Sequence, residues 1–386
     1  MAETTPPHHH KQEVQVVQIP VHHSTEQSQF LPPPPHKQKK WWFWVVFCIT
    51  LLIIGQFCGR ILQKIFINEG GRGTWMIALI QTAGFPILIL PLIFSSFSKT
   101  PPPNPPIIST ENPSLFKLCL IYFFLGILLA ASTMLYSVGI LYISVSRFAR
   151  ICATQLIYTL IFSNFINHHK VSNFVSISAI LITLSAVFST INGYSFPGKP
   201  STGSPIPAIG HPLTQIASIA YCLMLSLMRL SFDKVILKRT NKTRVRAVLE
   251  MQIFTAMVAS IILVIGLLAT SERTSTVSFV SGFNKGTKGY VLILVGAGLG
   301  WQAFSVGALG LVLLVSPFFS NVVNVFVMPF LPVVAALFFD GSMSVWKIIA
   351  VPLALVGFGF YLHQLYGFGD GETREGGSGQ NNEGEA

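Results

Sequence analysis

The sequence predicts an all-α integral membrane protein, with ten transmembrane helices in a five-plus-five inverted repeat. Three observations lead there. Only 10% of the chain is charged, against about 25% in soluble domains, while 51% is hydrophobic and the mean hydropathy is +0.61. Apolar stretches recur at lengths near the ~20 residues a helix needs to cross a bilayer. A short string from the first half of the chain also returns in the second, with the same features behind it.

Taken in order, residues 1–40 are rich in Pro, His and Gln and almost free of apolar clusters, a composition that predicts a disordered tail. His8-His9-His10, His22-His23 and His36 fall in this tail and need no metal to account for them. Lys37, Lys39 and Lys40 then meet Trp41-Trp42-Phe43-Trp44, the cation-then-aromatic pattern of a cytosolic membrane interface. The first apolar stretch begins only at Trp41, so it reads as a retained span and not a cleaved leader. Spans follow at roughly 42–66, 75–97, 115–138, 143–165, 172–192, 212–232, 247–270, 288–312, 316–339 and 345–366. The links near Ile140–Ser144 and Val315–Pro317 are so short that they predict antiparallel neighbours. Residues 41–192 and 193–366 form the two expected repeats, with the basic loop 233–246 in the second and an acidic, disordered tail over 367–386.

Loop charges set the orientation. Lys37, Lys39, Lys40, Lys99, Lys170 and the cluster from Lys234 to Arg246 share one side; fewer cations lie on the other, which places both termini in the cytosol. The sequon Asn241-Lys242-Thr243 lies in the basic loop and is expected to stay unglycosylated. This clustering beside apolar runs also accounts for the net charge of +11 without nucleic acid. Cys48, Cys58, Cys119, Cys152 and Cys222 lie in or beside apolar runs, without a CxxC, and predict no disulfide framework.

The repeated string is Tyr136-Ser137-Val138-Gly139, matched by Phe304-Ser305-Val306-Gly307. Behind each come a brief apolar stretch, a Ser-led helix with a central amide (Gln155; Asn321 and Asn324), a polar turn and one more apolar span. An odd number of spans per half makes the halves oppositely oriented, with a site near the midplane where they meet.

Polar groups at membrane depth should face protein or a wet cavity. Amides fall within the spans at Gln56, Gln81, Gln155, Gln252, Gln302, Asn321 and Asn324, with Asn164 nearer an end. Singly, each reads as glue between helices. As a set they can line a pocket, because converging amides read the edge of a neutral planar heterocycle while an aromatic stacks on its face. The adjacent Trp301-Gln302 supplies both groups. Glu250 is the carboxylate that reaches furthest into a span; it either relays protons or is held by the helix dipole. Arg147 and Arg150 share a helical face and either snorkel or attract an anionic ligand. Gly296, Gly298 and Gly300 permit close helix approach, and Pro329 and Pro332 interrupt the ninth span. No hydrolase elbow, HExxH or Walker loop is present, so neither an enzyme nor an ATP-driven pump is expected, and no cofactor.

Leu249-Glu250-Met251-Gln252-Ile253-Phe254, Trp301-Gln302, Ser305-Val306-Gly307, Phe319-Ser320-Asn321-Val322 and Ile151-Cys152-Ala153-Thr154-Gln155-Leu156 form one distinctive set of strings. Asn68-Glu69-Gly70-Gly71, Phe232-Asp233-Lys234-Val235 and Lys347-Ile348-Ile349-Ala350 add to it. Over roughly Trp41 to Tyr366 these resemble the plant purine permeases of the drug/metabolite transporter superfamily. The resemblance implies a ten-helix carrier of the plasma membrane, coupled to protons, for nucleobases, cytokinins and, in some members, alkaloids or vitamin-like heterocycles. Gln155, Trp301, Gln302 and Asn321, with Gln81 and Asn324, are the expected ligand contacts, and Glu250 the proton carrier. Ser132-Thr133 stands where the family usually has Asp-Asn, Leu314 where an acid is common, and Arg147 and Arg150 where residues are uncharged, which marks a divergent member. The alternatives are a carrier of another solute, such as an alkaloid or a phosphorylated metabolite, and a receptor that binds without transporting.

Overall fold

In a lipid solvent each backbone N–H and C=O must be satisfied within its own segment, so long apolar stretches fold as helices. The computed structural model describes residues 35–69, 71, 73–97, 115–143, 145–167, 173–189, 206–236, 244–272, 286–330, 333 and 345–378. Among these residues there is no strand. The helices are α1 (Pro35–Asn68), α2 (Thr74–Thr82), α3 (Ile89–Phe97), α4 (Leu115–Tyr142), α5 (Val145–Ala153) and α6 (Gln155–Asn167). They continue with α7 (Asn173–Phe188), α8 (Ile206–Ser231), α9 (Arg244–Ala269), α10 (Gly286–Leu314), α11 (Pro317–Phe326) and α12 (Val345–Ser378). The His-rich segment, the sequon at Asn241, Pro332 and the side chain of Arg147 lie outside the described residues.

Among the described residues, seven stretches are long and apolar enough to cross a membrane, and the shorter apolar helices Val175–Phe188 and Ile348–His363 accompany them. Their outward faces carry Phe94, Phe116, Phe165 and Leu292, each more than 70% exposed. A soluble fold would carry charge there. The protein is therefore a multi-pass membrane protein.

Among the described residues three of the expected spans are not continuous helices, the ninth because α11 gives way to a turn at residues 327–329. Pro86 has no N–H to offer the Thr82 carbonyl, so α2 stops at Thr82, and the 3₁₀ turn Phe85–Leu88 leads into α3. The fourth span breaks at Thr154, between α5 and α6. At the tight link after α10, Ser316 accepts a 3.0 Å bond from the Phe319 amide with Pro317 directly behind it, the Ser-then-Pro start a helix favours. On the other side of this link, buried Arg229 of α8 closes α10. Its Nη1 donates to the carbonyls of Val312 and Leu313, both at 2.8 Å, while its Nε meets Asp233 at 2.9 Å.

The most extensive helix pair is α1 with α10. Glycine makes it possible: a Cβ on Gly300 would lie 2.6 Å from the Gly59 backbone nitrogen, and one on Gly307 2.5 Å from that of Leu52. Elsewhere α4 packs on α8 and α9, α6 on α8 and α11, α2 on α9 and α10, and α7 on α12. The largest apolar cluster gathers α1, α6, α7, α10 and α11 around Leu52, Leu156, Ile182, Leu311 and Phe319.

Candidate functional site

Where α6 and α11 meet, a polar network runs through this apolar surround. Asn321 and Asn324, three residues apart on one face of α11, are both buried. Gln155 is buried at the first position of α6, immediately after the Thr154 break. Asn324 Nδ2 donates to Gln155 Oε1 at 3.3 Å and to Asn321 Oδ1 at 3.2 Å. Asn321 Nδ2 donates to Thr159 Oγ1 at 2.7 Å. Gln155 Nε2 donates to the Tyr136 hydroxyl at 2.7 Å, which passes a 3.1 Å bond on to Ser218.

Gln56 joins from α1. As α11 ends, the Met328 amide bonds to the Val325 carbonyl, and the Asn324 carbonyl takes Gln56 Nε2 at 3.2 Å. One turn further along α1 stands Arg60, with its guanidinium carbon 5.9 Å from the centre of the Trp301 ring on α10. Gly59 makes room for that ring, since a Cβ there would be 3.2 Å from several indole atoms. Phe304 meets the same indole edge-on at 5.5 Å.

Four atoms in this region are buried and have no hydrogen-bond partner: Gln56 Oε1, Asn324 Oδ1, Arg60 Nε and Trp301 Nε1. Native interiors rarely leave such groups unsatisfied. Two donors and two acceptors are thus left open among Gln56, Arg60, Trp301 and Asn324.

Gln302, the next residue after Trp301, points elsewhere, because one helical step turns the side chain by about 100°. Its Nε2 donates to the carbonyls of Gln81 and Thr82, at 3.3 and 3.0 Å, and its Oε1 accepts from Gln252 at 3.1 Å. It thereby caps the carbonyl that Pro86 orphans at the α2 break. Gln81 turns its own side chain back along α2, toward the Ile77 carbonyl at 3.5 Å. The structure thus brings Gln155, Asn321 and Asn324 together beside Gln56, Arg60 and Trp301, and sets Gln302 with Gln252 and the Gln81 backbone in a second network. Glu250 lies on α9, buried and paired with Arg246 Nε at 2.8 Å. Asn164 and Arg150 are exposed.

Sequence reasoning passed over Arg60, although a cation inside an apolar run is a functional candidate by default. Its spacing of four residues after Gln56 was the available signal. Thr159 and Ser218 were also missed; hydroxyls are common within spans and carry little signal. Among the described residues no group of His, Cys, Asp and Glu is placed to hold a metal ion.

The family described as purine nucleobase transmembrane transport matches residues 43–369. "Probable purine permease 11" of Arabidopsis thaliana is 39% identical over 325 residues, which cover 83% of this chain and 83% of that protein. The chain belongs to the purine permease family. Two further Arabidopsis thaliana permeases make the same point. "Probable purine permease 23" is 40% identical over 338 residues, 83% of this chain and 84% of its own length. "Purine permease 21" is 34% identical over 315 residues, 82% of this chain and 78% of its own length. This permease therefore belongs with membrane transporters whose family cargo is the purine nucleobase.

Proposed function

We propose that this permease is a secondary carrier of purine-like heterocycles, nucleobases and cytokinins among them, working by alternating access and coupled to protons. The observation that carries the reading is the buried amide network of Gln155, Asn321 and Asn324, with unsatisfied donors and acceptors beside the indole of Trp301. A planar heterocycle would bond to the amides at its edge and stack on an aromatic ring. In this reading Gln155, Trp301, Asn321 and Asn324 touch the ligand, while Gln302 and Gln81 hold the α2 break beside it. Glu250 is the proton carrier, a buried carboxylate whose charge Arg246 balances.

The helix pairing supports ten helices in two inverted halves. Exchanging each span of one half for its counterpart turns the α1–α10 contact into the α8–α4 contact, and leaves α2–α9, α6–α11 and α7–α12 as self-paired contacts. All of these contacts are present. The cation bias supports cytosolic termini, and the resemblance to plant purine permeases supports a plasma-membrane location.

Uptake of radiolabelled adenine or a cytokinin into cells lacking their own carrier tests the reading, with a protonophore as control. Uptake should fall by about tenfold or more when Gln155→Ala and Trp301→Ala are combined, as expected for the loss of a hydrogen bond and a ring contact. Uptake that survives both substitutions, or that ignores the protonophore, counts against the site and the coupling respectively.

A further inference from the structure

Arg60 poses an electrostatic problem that the amides alone do not answer. Its guanidinium lies within electrostatic reach of Tyr136 on α4, Cys152 on α5 and Tyr221 on α8, and all three of these are neutral groups. Among the described residues it makes no ion pair and no hydrogen bond, and Nε is buried without a partner. The Trp301 ring lies over it, with its centre 5.9 Å from the guanidinium carbon. An unpaired cation at membrane depth is costly, and such residues mark ligand paths. The guanidinium fork has donors and no acceptor, and it matches pairs of oxygens that carry negative charge.

The other open atoms refine the match. Trp301 Nε1 adds a donor near the guanidinium, and Gln56 Oε1 and Asn324 Oδ1 supply acceptors from the amide side. A ligand that satisfies all four needs oxygen acceptors on one edge and ring N–H donors on another. An oxo-substituted purine, with its alternating C=O and N–H groups, has that pattern. Its deprotonated form also neutralises the guanidinium, which an amino-substituted, uncharged purine such as adenine cannot do.

We propose that Arg60 and Trp301 recognise the oxygen-bearing edge of anion-forming oxopurines, and that this permease prefers that class to aminopurines. The proposal rests on the transport reading above for its site, and adds the identity of the ligand's polar edge. Arg60 sets specificity through charge and a forked donor geometry, and Gln56 and Asn324 receive the ring N–H groups.

The full-length protein, purified and reconstituted into proteoliposomes, provides the test. Xanthine, urate and adenine are compared as thermal stabilisers of the protein and as competitors for labelled xanthine uptake. Xanthine and urate should act at concentrations about tenfold or more below adenine, as expected of charge-assisted hydrogen bonds. Arg60→Gln should weaken xanthine and urate by about tenfold or more and weaken adenine less, so that the preference is lost, and Arg60→Lys should restore only part of it, because it keeps the charge and loses the fork. The stabilisation experiment on the unaltered protein decides the matter even if the Arg60 variants fail to fold. Equal action of adenine and xanthine on the unaltered protein overturns the proposal, and adenine flux would then leave the transport reading standing. Equal losses for both ligands in Arg60→Gln also overturn it. Stabilisation by xanthine without flux of any heterocycle supports the proposed recognition and sinks the transport reading instead.

Discussion

Trp301 and Gln302 are neighbours in sequence with different surroundings, and their variants should separate cleanly. Gln302→Leu strands the Gln81 and Thr82 carbonyls and one donor of Gln252. Each buried group left unpaired costs about 1–3 kcal/mol, so the melting temperature in detergent should drop while ligand preference is unchanged. Trp301→Ala should change ligand preference and give the larger loss in uptake. Arg229 provides a second test. It is buried, and Arg229→Met leaves the Asp233 carboxylate and two carbonyls without their partner. Breaking such a pair costs about 3–5 kcal/mol, and adding Asp233→Asn should recover part of the lost melting temperature. The sequence made the amides visible because amides are scarce in apolar spans. It could not say which of them shared a network, since that depends on where α2 and α11 end. Arg60 stood in plain view within the first span, yet its meaning depends on Trp301, more than two hundred positions away in the chain.

Among the elements, apolar length was enough to locate the spans, but not to locate the breaks within them. Prolines are tolerated in membrane helices when a neighbour takes up the freed carbonyl; Pro86 ends α2 with Gln302 as that neighbour, and no local pattern reveals the pairing. The Gly296, Gly298 and Gly300 run was legible as a packing surface, though not how it divides. A Cβ on Gly296 meets Leu62 and one on Gly300 meets Gly59, both on α1, whereas Gly298 faces Gly84 at the α2 break. Gly300→Val should therefore be the most damaging of the three substitutions, because it meets backbone that cannot yield. Yield of folded protein in size-exclusion chromatography would check this.

For the molecule as a whole, the repeated strings are a thin signal for the proposed inverted repeat, and the helix pairing gives that proposal fuller support. Contacts between the halves could not be read from the chain because they join residues far apart in sequence. If the halves are inverted and the cation bias governs orientation, an epitope at either terminus should be reached by antibody only after the cell is permeabilised. A signal from intact cells would reverse that topology.

The seam between α1 and α10 joins opposite halves of the chain through glycine and backbone, with little side chain between to slide or repack. Two rods in such close register behave as one beam. On the proposed transport reading, whatever tilts as cargo passes, Arg60 and Trp301 would ride on the same beam and stay face to face, so the proposed grip on the ligand would travel with it instead of being remade. The beam can be welded to find out: a Cβ on Gly310 would stand 3.5 Å from that of Cys48, within disulfide range. Gly310→Cys, oxidised to bond with Cys48, should leave uptake close to that of the reduced form, and a transporter frozen by that bond would mean that the two rods part company at work.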